Sequence, residues 1–328
     1  MSPLSRRCPL TAWLLLSSLF LALPAQIAPN CLAEVNSGRK PVIATITWRG
    51  QTEAERGFID GLREKVHEPT ILTFDANQSR AAVEEILESL GSRHIDLIYV
   101  FGTTATQLVL SRVKNIPVVF NIVSRPVASG IIADRQRSGN NATGVSLEIP
   151  VHHQLKALKK VVDFRVLGVI YNPRELNSVI HTRMVRDLEV PMGFRLEEFC
   201  IRNATDIPRV LGDLKGRADA VYIPADSFSI SFGKEIMTLV NGFNIPSLSA
   251  AESMVPENGV LLALVPDYYQ LGRMAAEKGA RILAGDAPGE IPSSCPEYFR
   301  MWVNMRTARQ INIQIPLSLL MIADKIVR

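Results

Sequence analysis

The apolar run Leu10–Leu23 of this 328-residue chain, "LTAWLLLSSLFLAL", falls short of the roughly 20 residues that a bilayer span requires, which argues against a membrane-spanning helix there. The chain has four cysteines and five histidines, and none of them sit at metal-ligand spacing, so no metal is expected. Gly-x-Gly-x-x-Gly, Gly-x-Ser-x-Gly and His-Glu-x-x-His are all missing, which removes the common signatures of dinucleotide enzymes, serine hydrolases and zinc proteases. No cofactor and no catalytic residue are expected. Charge of one sign is missing too. The formal net charge is +4, of which Arg6 and Arg7 supply two, and a balance so near neutral gives no reason to expect a nucleic-acid partner.

What is present begins at the N-terminus. Arg6 and Arg7 precede the apolar run, and Pro24 with small residues follows it. That order reads as a signal peptide over residues 1–33, with cleavage after Ala25 or Ala33, and predicts a periplasmic protein. Cys31 raises a lipid anchor, but Pro29 and Asn30 before it match a lipidation site poorly, so anchoring is the less favoured reading. Export leaves Cys200 and Cys295 in an oxidising compartment, either as one disulfide or as separate buried thiols.

Past residue 40 the chain alternates short β-branched runs with helical periodicity. Strands are predicted at 41–48, 70–74, 95–101 and 116–123, with helices between them. Thr52 with Glu55, and Thr104 with Gln107, each read as a capping box. The second half repeats the order, with strands at 165–171, 194–199, 219–223 and 245–249 and helices at 175–188, 206–215 and 229–242. "IDLIYVFGTTATQ" (95–107) returns as "ADAVYIPADSFS" (218–229), and the spacing from Val42 to Asp96 is matched within one residue by that from Val166 to Asp219. The fold class is therefore α/β, with two doubly wound parallel-sheet lobes.

Ligands of open parallel sheets bind beyond the carboxyl ends of the strands. The polar residues there are Trp48-Arg49, Gly102-Thr103-Thr104, the 121–125 loop with Ser124 and Arg125, the 172–178 segment, and Asp226-Ser227. Each also has a plain structural role open to it: Thr104 as a helix cap, Asn172-Pro173 as a turn, Asp226 as an N-cap. His152 and His153, with Lys156, Lys159 and Lys160, read as a solvated basic helix face.

The motifs "GFIDGL" (57–62), "IPVVFNIVSRPVASGII" (116–132), "NNATGVS" (140–146), "GVIYNPRELNS" (168–178), "YIPADS" (222–227) and "DYYQLGRMAAEKGARILAG" (267–285) resemble the periplasmic substrate-binding proteins of ABC transporters. The likeness is to the group related to aromatic amino acid-binding members, and it covers about residues 40–328. It implies the type I periplasmic binding protein fold, two lobes joined by a three-strand hinge. Crossings are expected near 140–147, 259–264 and 298–304, giving a first lobe of 40–145 plus 262–290 and a second of 146–261 plus 298–328. It also implies a monomer that captures an amino acid or similar zwitterion and delivers it to a permease with its ATPase. In that reading Asp226 accepts an ammonium group, helix N-termini face a carboxylate, and Trp48, Tyr171 and Phe228 are candidate walls. Thr103, Thr104 and Ser124 from the first lobe, and Asn172, Glu175, Asn177, Ser178 and Ser227 from the second, complete the expected site. The family often carries an acidic residue just before the proline where this chain has Arg125, so Arg125 either pairs with an acidic side chain of the protein such as Asp226 or holds an anionic group of the ligand, which would then be more acidic than that of its relatives. A periplasmic sensor subunit is the alternative. A repressor's sensing domain is disfavoured by the signal peptide and by the lack of a DNA-binding segment before residue 40.

Overall fold

β-branched runs buried on both faces pair into two separate sheets, and amphipathic helices cover them. The computed structural model describes residues 39–148 and 150–328. The expected signal segment and Cys31 lie outside the described residues. The first sheet is built from β1 (Val42–Thr47), β2 (Thr70–Asp75), β3 (Leu97–Phe101), β4 (Val118–Val123) and β5 (Ala142–Ser146), interleaved with α1 (Glu53–Lys65), α2 (Arg80–Leu90) and α3 (Thr103–Arg112). Its strand order is β2-β1-β3-β4-β5, all parallel. After α4 (Val151–Lys159) come β6 (Val166–Tyr171), α5 (Leu176–Arg186), α6 (Glu189–Met192), β7 (Arg195–Cys200), α7 (Ile207–Gly212) and β8 (Ala220–Ile223). They are followed by α8 (Ser227–Ser231), α9 (Gly233–Gly242), β9 (Ser247–Ser249), α10 (Met254–Asn258) and β10 (Leu262–Val265). The chain ends in α11 (Tyr268–Leu283), β11 (Arg300–Asn304), α12 (Met305–Gln310), α13 (Leu317–Leu320) and β12 (Lys325–Val327). The second sheet runs β12-β11-β10-β9-β8-β6-β7, with β11 antiparallel to β10.

The internal repeat has a hydrogen-bonded basis. Asp96 Oδ2 accepts the Val42 N–H at 2.8 Å, and Asp219 Oδ2 accepts the Val166 N–H at 2.8 Å. Each aspartate stands just before the third strand of its lobe and ties it to the start of the first. The Thr52–Glu55 capping box forms as expected. Of the two readings of Cys200 and Cys295, the structure shows the separate thiols. Two expectations change. The predicted helix over 229–242 is two helices, α8 and α9, separated at Phe232. The crossings also shift, because each linking segment first extends a sheet. β5 pairs with β4 before the chain leaves the first lobe, and β10 pairs with β9, so residues 262–265 belong to the second sheet and not to the first. The third segment bridges Val145 at Ser294 before entering the second sheet as β11.

α11 returns the chain to the first lobe and lies against α1 at glycine contacts. A Cβ on Gly272 would stand 2.1 Å from the Ala54 carbonyl oxygen, and one on Gly57 would stand 2.1 Å from that of Tyr269. Backbone blocks both, so neither can be relieved by turning a side chain. Gly272→Ala is expected to cost about 1–3 kcal/mol through overpacking, read as a lower urea midpoint. Gly212→Ala, whose added methyl meets nothing within 4 Å, should leave the midpoint at or above that of the parent.

Candidate functional site

The carboxyl ends of β1, β3 and β4 face those of β6 and β8 across a small cavity. Trp48, Arg49, Gly102, Thr103, Thr104, Ile122 and Ser124 line it from the first lobe, and Glu175, Asn177, Ala225 and Ser227 from the second. Its volume is ≈ 20 Å³, about one water. Two further contacts cross between the lobes: Gln78 Nε2 donates to Ser231 Oγ at 2.9 Å, and Ser124 Oγ lies 3.4 Å from His181 Nε2.

The two helix ends at the cavity are wired differently. α3 begins at Thr103 behind Gly102, whose φ of 89° suits glycine, and no side chain caps it. Thr104 therefore lies inside the helix, and the expected Thr104–Gln107 box does not form. The first-turn N–H groups of α3 keep their donor character toward the cavity. The end of α8 is already occupied. Glu175 accepts the N–H groups of Ser227 and Phe228, each at 2.9 Å, and Asp226 caps the same helix through Ser229 N at 2.6 Å. The first lobe thus offers donors and the second offers carboxylate.

Glu175 is 7% exposed and Asp226 is fully buried. Burial raises the pKa of both, and for Asp226 the neighbouring Glu175 adds to the rise. Arg49, acting from the opposite lobe, favours the ionised form of Glu175. Arg49 forms no ion pair of its own among the described residues, and its guanidinium lies 5.4 Å from the Phe101 ring centroid. The Trp48 indole N–H is buried with no acceptor. Ile122 has φ 54°, a strained value for a β-branched residue, at a bulge in the β4–β5 pairing. Asn121 Oδ1 accepts its N–H at 2.9 Å and holds the turn that carries Ile122 and Ser124 to the cavity.

Of the residues expected from the sequence, Trp48, Thr103, Thr104, Ser124, Glu175, Asn177 and Ser227 meet at this cavity. The others stand outside its lining. Asp226 spends its oxygens on Ser229 and the Asn172 N–H, so its cap role is the one the geometry shows. Tyr171 donates to Glu198, Ser178 donates to the Asn172 carbonyl, and Asn172 closes a turn by accepting the Arg174 N–H. Phe228 packs on Phe232. Arg125 is exposed, pairs with no carboxylate among the described residues, and lines a different hollow beside His181 and Cys295. Arg49 was visible as a strand-end residue, but that it forms no ion pair among the described residues shows only in three dimensions.

A buried chain of hydrogen bonds runs from Ser124 into the second lobe. Gln154 Nε2 donates to the Leu264 carbonyl at 2.7 Å, which leaves its Oε1 to accept the Tyr222 hydroxyl at 3.0 Å. The Tyr222 oxygen then accepts from His181 Nδ1 at 3.3 Å, so Nε2 is bare and accepts Ser124 Oγ–H. Burial, with a smaller contribution from Arg125, pulls the His181 pKa down to about 4.

The model of the ABC transporter substrate binding protein family matches residues 41–327. A tyrosine-binding protein of Clostridioides difficile (strain R20291) is 26% identical over 267 residues, 80% of this chain and 77% of that protein. The crystal structure of a conserved domain protein from Vibrio cholerae, 25% identical, has a TM-score of 0.83 and covers 88% of this chain and 100% of its own. An ABC domain in complex with L-Trp from Streptococcus pneumoniae, 22% identical, gives the same TM-score of 0.83 over 88% of this chain and 100% of its own. The lobes, the cleft and the matched length together place this chain in the ABC transporter substrate-binding protein family.

Proposed function

We propose that this protein binds an aromatic amino acid as a zwitterion between its lobes and hands it to a membrane permease. The observation that carries the reading is the opposed pair at the cavity: Arg49, with no ion pair among the described residues, beside the uncapped end of α3 on one wall, and Glu175 on the other. A carboxylate fits the first wall through the Arg49 fork, the α3 N–H groups and the Trp48 indole N–H. An ammonium fits the second, because Glu175 spends one lone pair of each oxygen on α8 and keeps others. Micromolar binding needs about 8 kcal/mol, and a helix end contributes about 0.3–2 kcal/mol. Lobe closure over the ligand's apolar body must contribute the remainder, at about 25 cal/mol per Å². The aromatic side chain is inferred from the tyrosine-binding relative.

Proteins of this family work outside the cytoplasm. We place this one in the periplasm, as a monomer, on the strength of the basic flank and apolar run over residues 6–23. Its partner is the permease of an ABC transporter with its ATPase.

Isothermal calorimetry of the mature chain against L-tyrosine, L-phenylalanine and L-tryptophan tests the assignment, and absence of heat with all three would refute it. Arg49→Met and Glu175→Gln should each weaken binding by about 2–5 kcal/mol, because each leaves a buried charge without its counterpart.

Acidity should oppose closure through His181. Its pKa is about 4 with the lobes together and returns to the ordinary value, about 6.5, when opening exposes it. A depressed pKa in the closed form means that closure is at full strength above about pH 6.5 and weakens as pH falls toward 4. Affinity should therefore drop by up to about tenfold per pH unit across that window. Glu175 and Asp226, whose pKa values are raised, titrate with the opposite sign. The measurement is therefore the difference between the parent and His181→Asn, and identical pH profiles would remove His181 from the closure step.

A further inference from the structure

The turn that follows β2 is held in a conformation that its residues do not favour. Asn77 and Gln78 have φ of 45° and 59°, both in the left-handed region. Asparagine visits that region readily, but glutamine gains nothing there, and glycine would adopt it without steric cost. The turn is fastened from several sides. Asp75 Oδ1 accepts the N–H groups of Gly50 at 2.9 Å and of Asn77 at 3.0 Å. The Gln78 N–H donates to the Trp48 carbonyl at 2.7 Å, and Ser79 caps α2 by accepting the Ala82 N–H at 3.2 Å. The strained turn is therefore bound on both sides of Arg49, at the strand end that lines the small cavity.

Strain of this kind persists where the surrounding structure over-determines it, and it clusters at functional segments. What glutamine supplies here and glycine would not is a side-chain amide. That amide crosses the cleft: Gln78 Nε2 donates to Ser231 Oγ at 2.9 Å, between residues 153 positions apart. It is shorter than the 3.4 Å contact between Ser124 and His181. Ser231 is the last residue of α8, whose first turn is held by Glu175 and Asp226 at the opposite wall. The contact thus joins the two walls through short, fixed links, from Trp48 to Gln78 on one side and along α8 on the other. Gln78 is half-buried, Ser231 is exposed, and neither lines the small cavity, so the pair stands at the rim of the cleft. A bond that forms only with the lobes together moves the equilibrium toward that state.

We propose that Gln78 and Ser231 form a clasp at the rim that favours the closed arrangement of the lobes without touching what they enclose. The turn fastened by Asp75 aims the amide, and its left-handed backbone is what carries Gln78 to Ser231. Both are positioning residues, acting through the balance between open and closed lobes.

The test is the distance between the lobes, read by pulsed electron spin resonance on the ligand-free mature chain. Spin labels go on Glu88→Cys in α2 and Glu235→Cys in α9, two exposed positions on opposite lobes, with the native cysteines changed to serine. The parent should show a short-distance population matching the closed arrangement. Gln78→Ala and Ser231→Ala should each lower the ratio of closed to open by about two- to tenfold, the weight of one net hydrogen bond. The double variant should fall no further than either single one, because both remove the same bond. Gln78→Gly separates a clasp from a plain turn. It relieves the left-handed backbone, so its urea midpoint should lie at or above that of Gln78→Ala, while its closed population falls just as far. An unchanged ratio in the single variants, a closed population kept in Gln78→Gly, additive losses in the double variant, or a parent with no closed population would each overturn the clasp. None of these readouts depends on which ligand binds, so the clasp and the amino-acid assignment stand or fall separately.

Discussion

Glu175 is a carboxylate that the fold cannot solvate and cannot remove. It closes the N-terminal end of α8 by taking the Ser227 and Phe228 N–H groups, so the second lobe needs it whether or not a ligand is present. Asp226 beside it caps the same helix, and two carboxyls so close and so buried cannot both hold full charge. What remains is a single negative region on the wall of a closed cleft. Its counter-charge has to come from across the gap, from Arg49 or from something held between them. The requirement for a cation at one wall and an anion at the other follows from how the two helix ends are built.

That asymmetry is hidden inside a symmetric plan. The two lobes share strand order at their centres, helix placement and the aspartate that pins the start of the first strand to the third. The helix after the third strand is where they part. The first lobe leaves it behind Gly102 with no side-chain cap, and the second closes it with Asp226. A duplicated fold with identical ends would present two donor walls or two acceptor walls. Unlike ends are what the proposed capture of a zwitterion requires.

Much of this could be read from the residues. The βαβ alternation, the Val42–Asp96 and Val166–Asp219 spacing and the Thr52–Glu55 box are local patterns, and each is present in the structure. Seven of the twelve expected site residues converge at the cavity, because strand ends are set by the same local patterns. The other five could not be sorted from sequence. Asp226 caps its own helix at Ser229 and Asn172 closes a turn at Arg174, the plain local roles open to them from the start, while the Asn172 N–H to Asp226 bond joins residues 54 apart and has no one-dimensional signature. Arg125 follows a strained bulge that turns Ser124 inward and leaves the arginine exposed. The crossings were misplaced for a related reason. A β-branched run shows that a strand forms but not which sheet it joins, and β5 and β10 each complete one sheet before the chain departs for the other.

The hinge, the cleft and the buried network then form one mechanical unit. Each crossing leaves a strand that is fixed in a sheet: β5 in the first, β10 in the second, and the segment from Ser294 enters the second sheet as β11. Gln154 on α4 reaches the carbonyl of Leu264 on β10, and through Tyr222 and His181 it is connected to Ser124 at the cavity. The hydrogen-bond direction along this chain is forced at every step by Gln154, which has one donor committed to Leu264. The closed arrangement therefore fixes the His181 tautomer as well as its position. Opening breaks the chain at its weakest and only inter-lobe link, the 3.4 Å contact between Ser124 and His181, and leaves the remainder intact within the second lobe. Parting the lobes thus exposes the cavity by breaking one long hydrogen bond of this network, whereas rearranging either lobe's core would break many short ones.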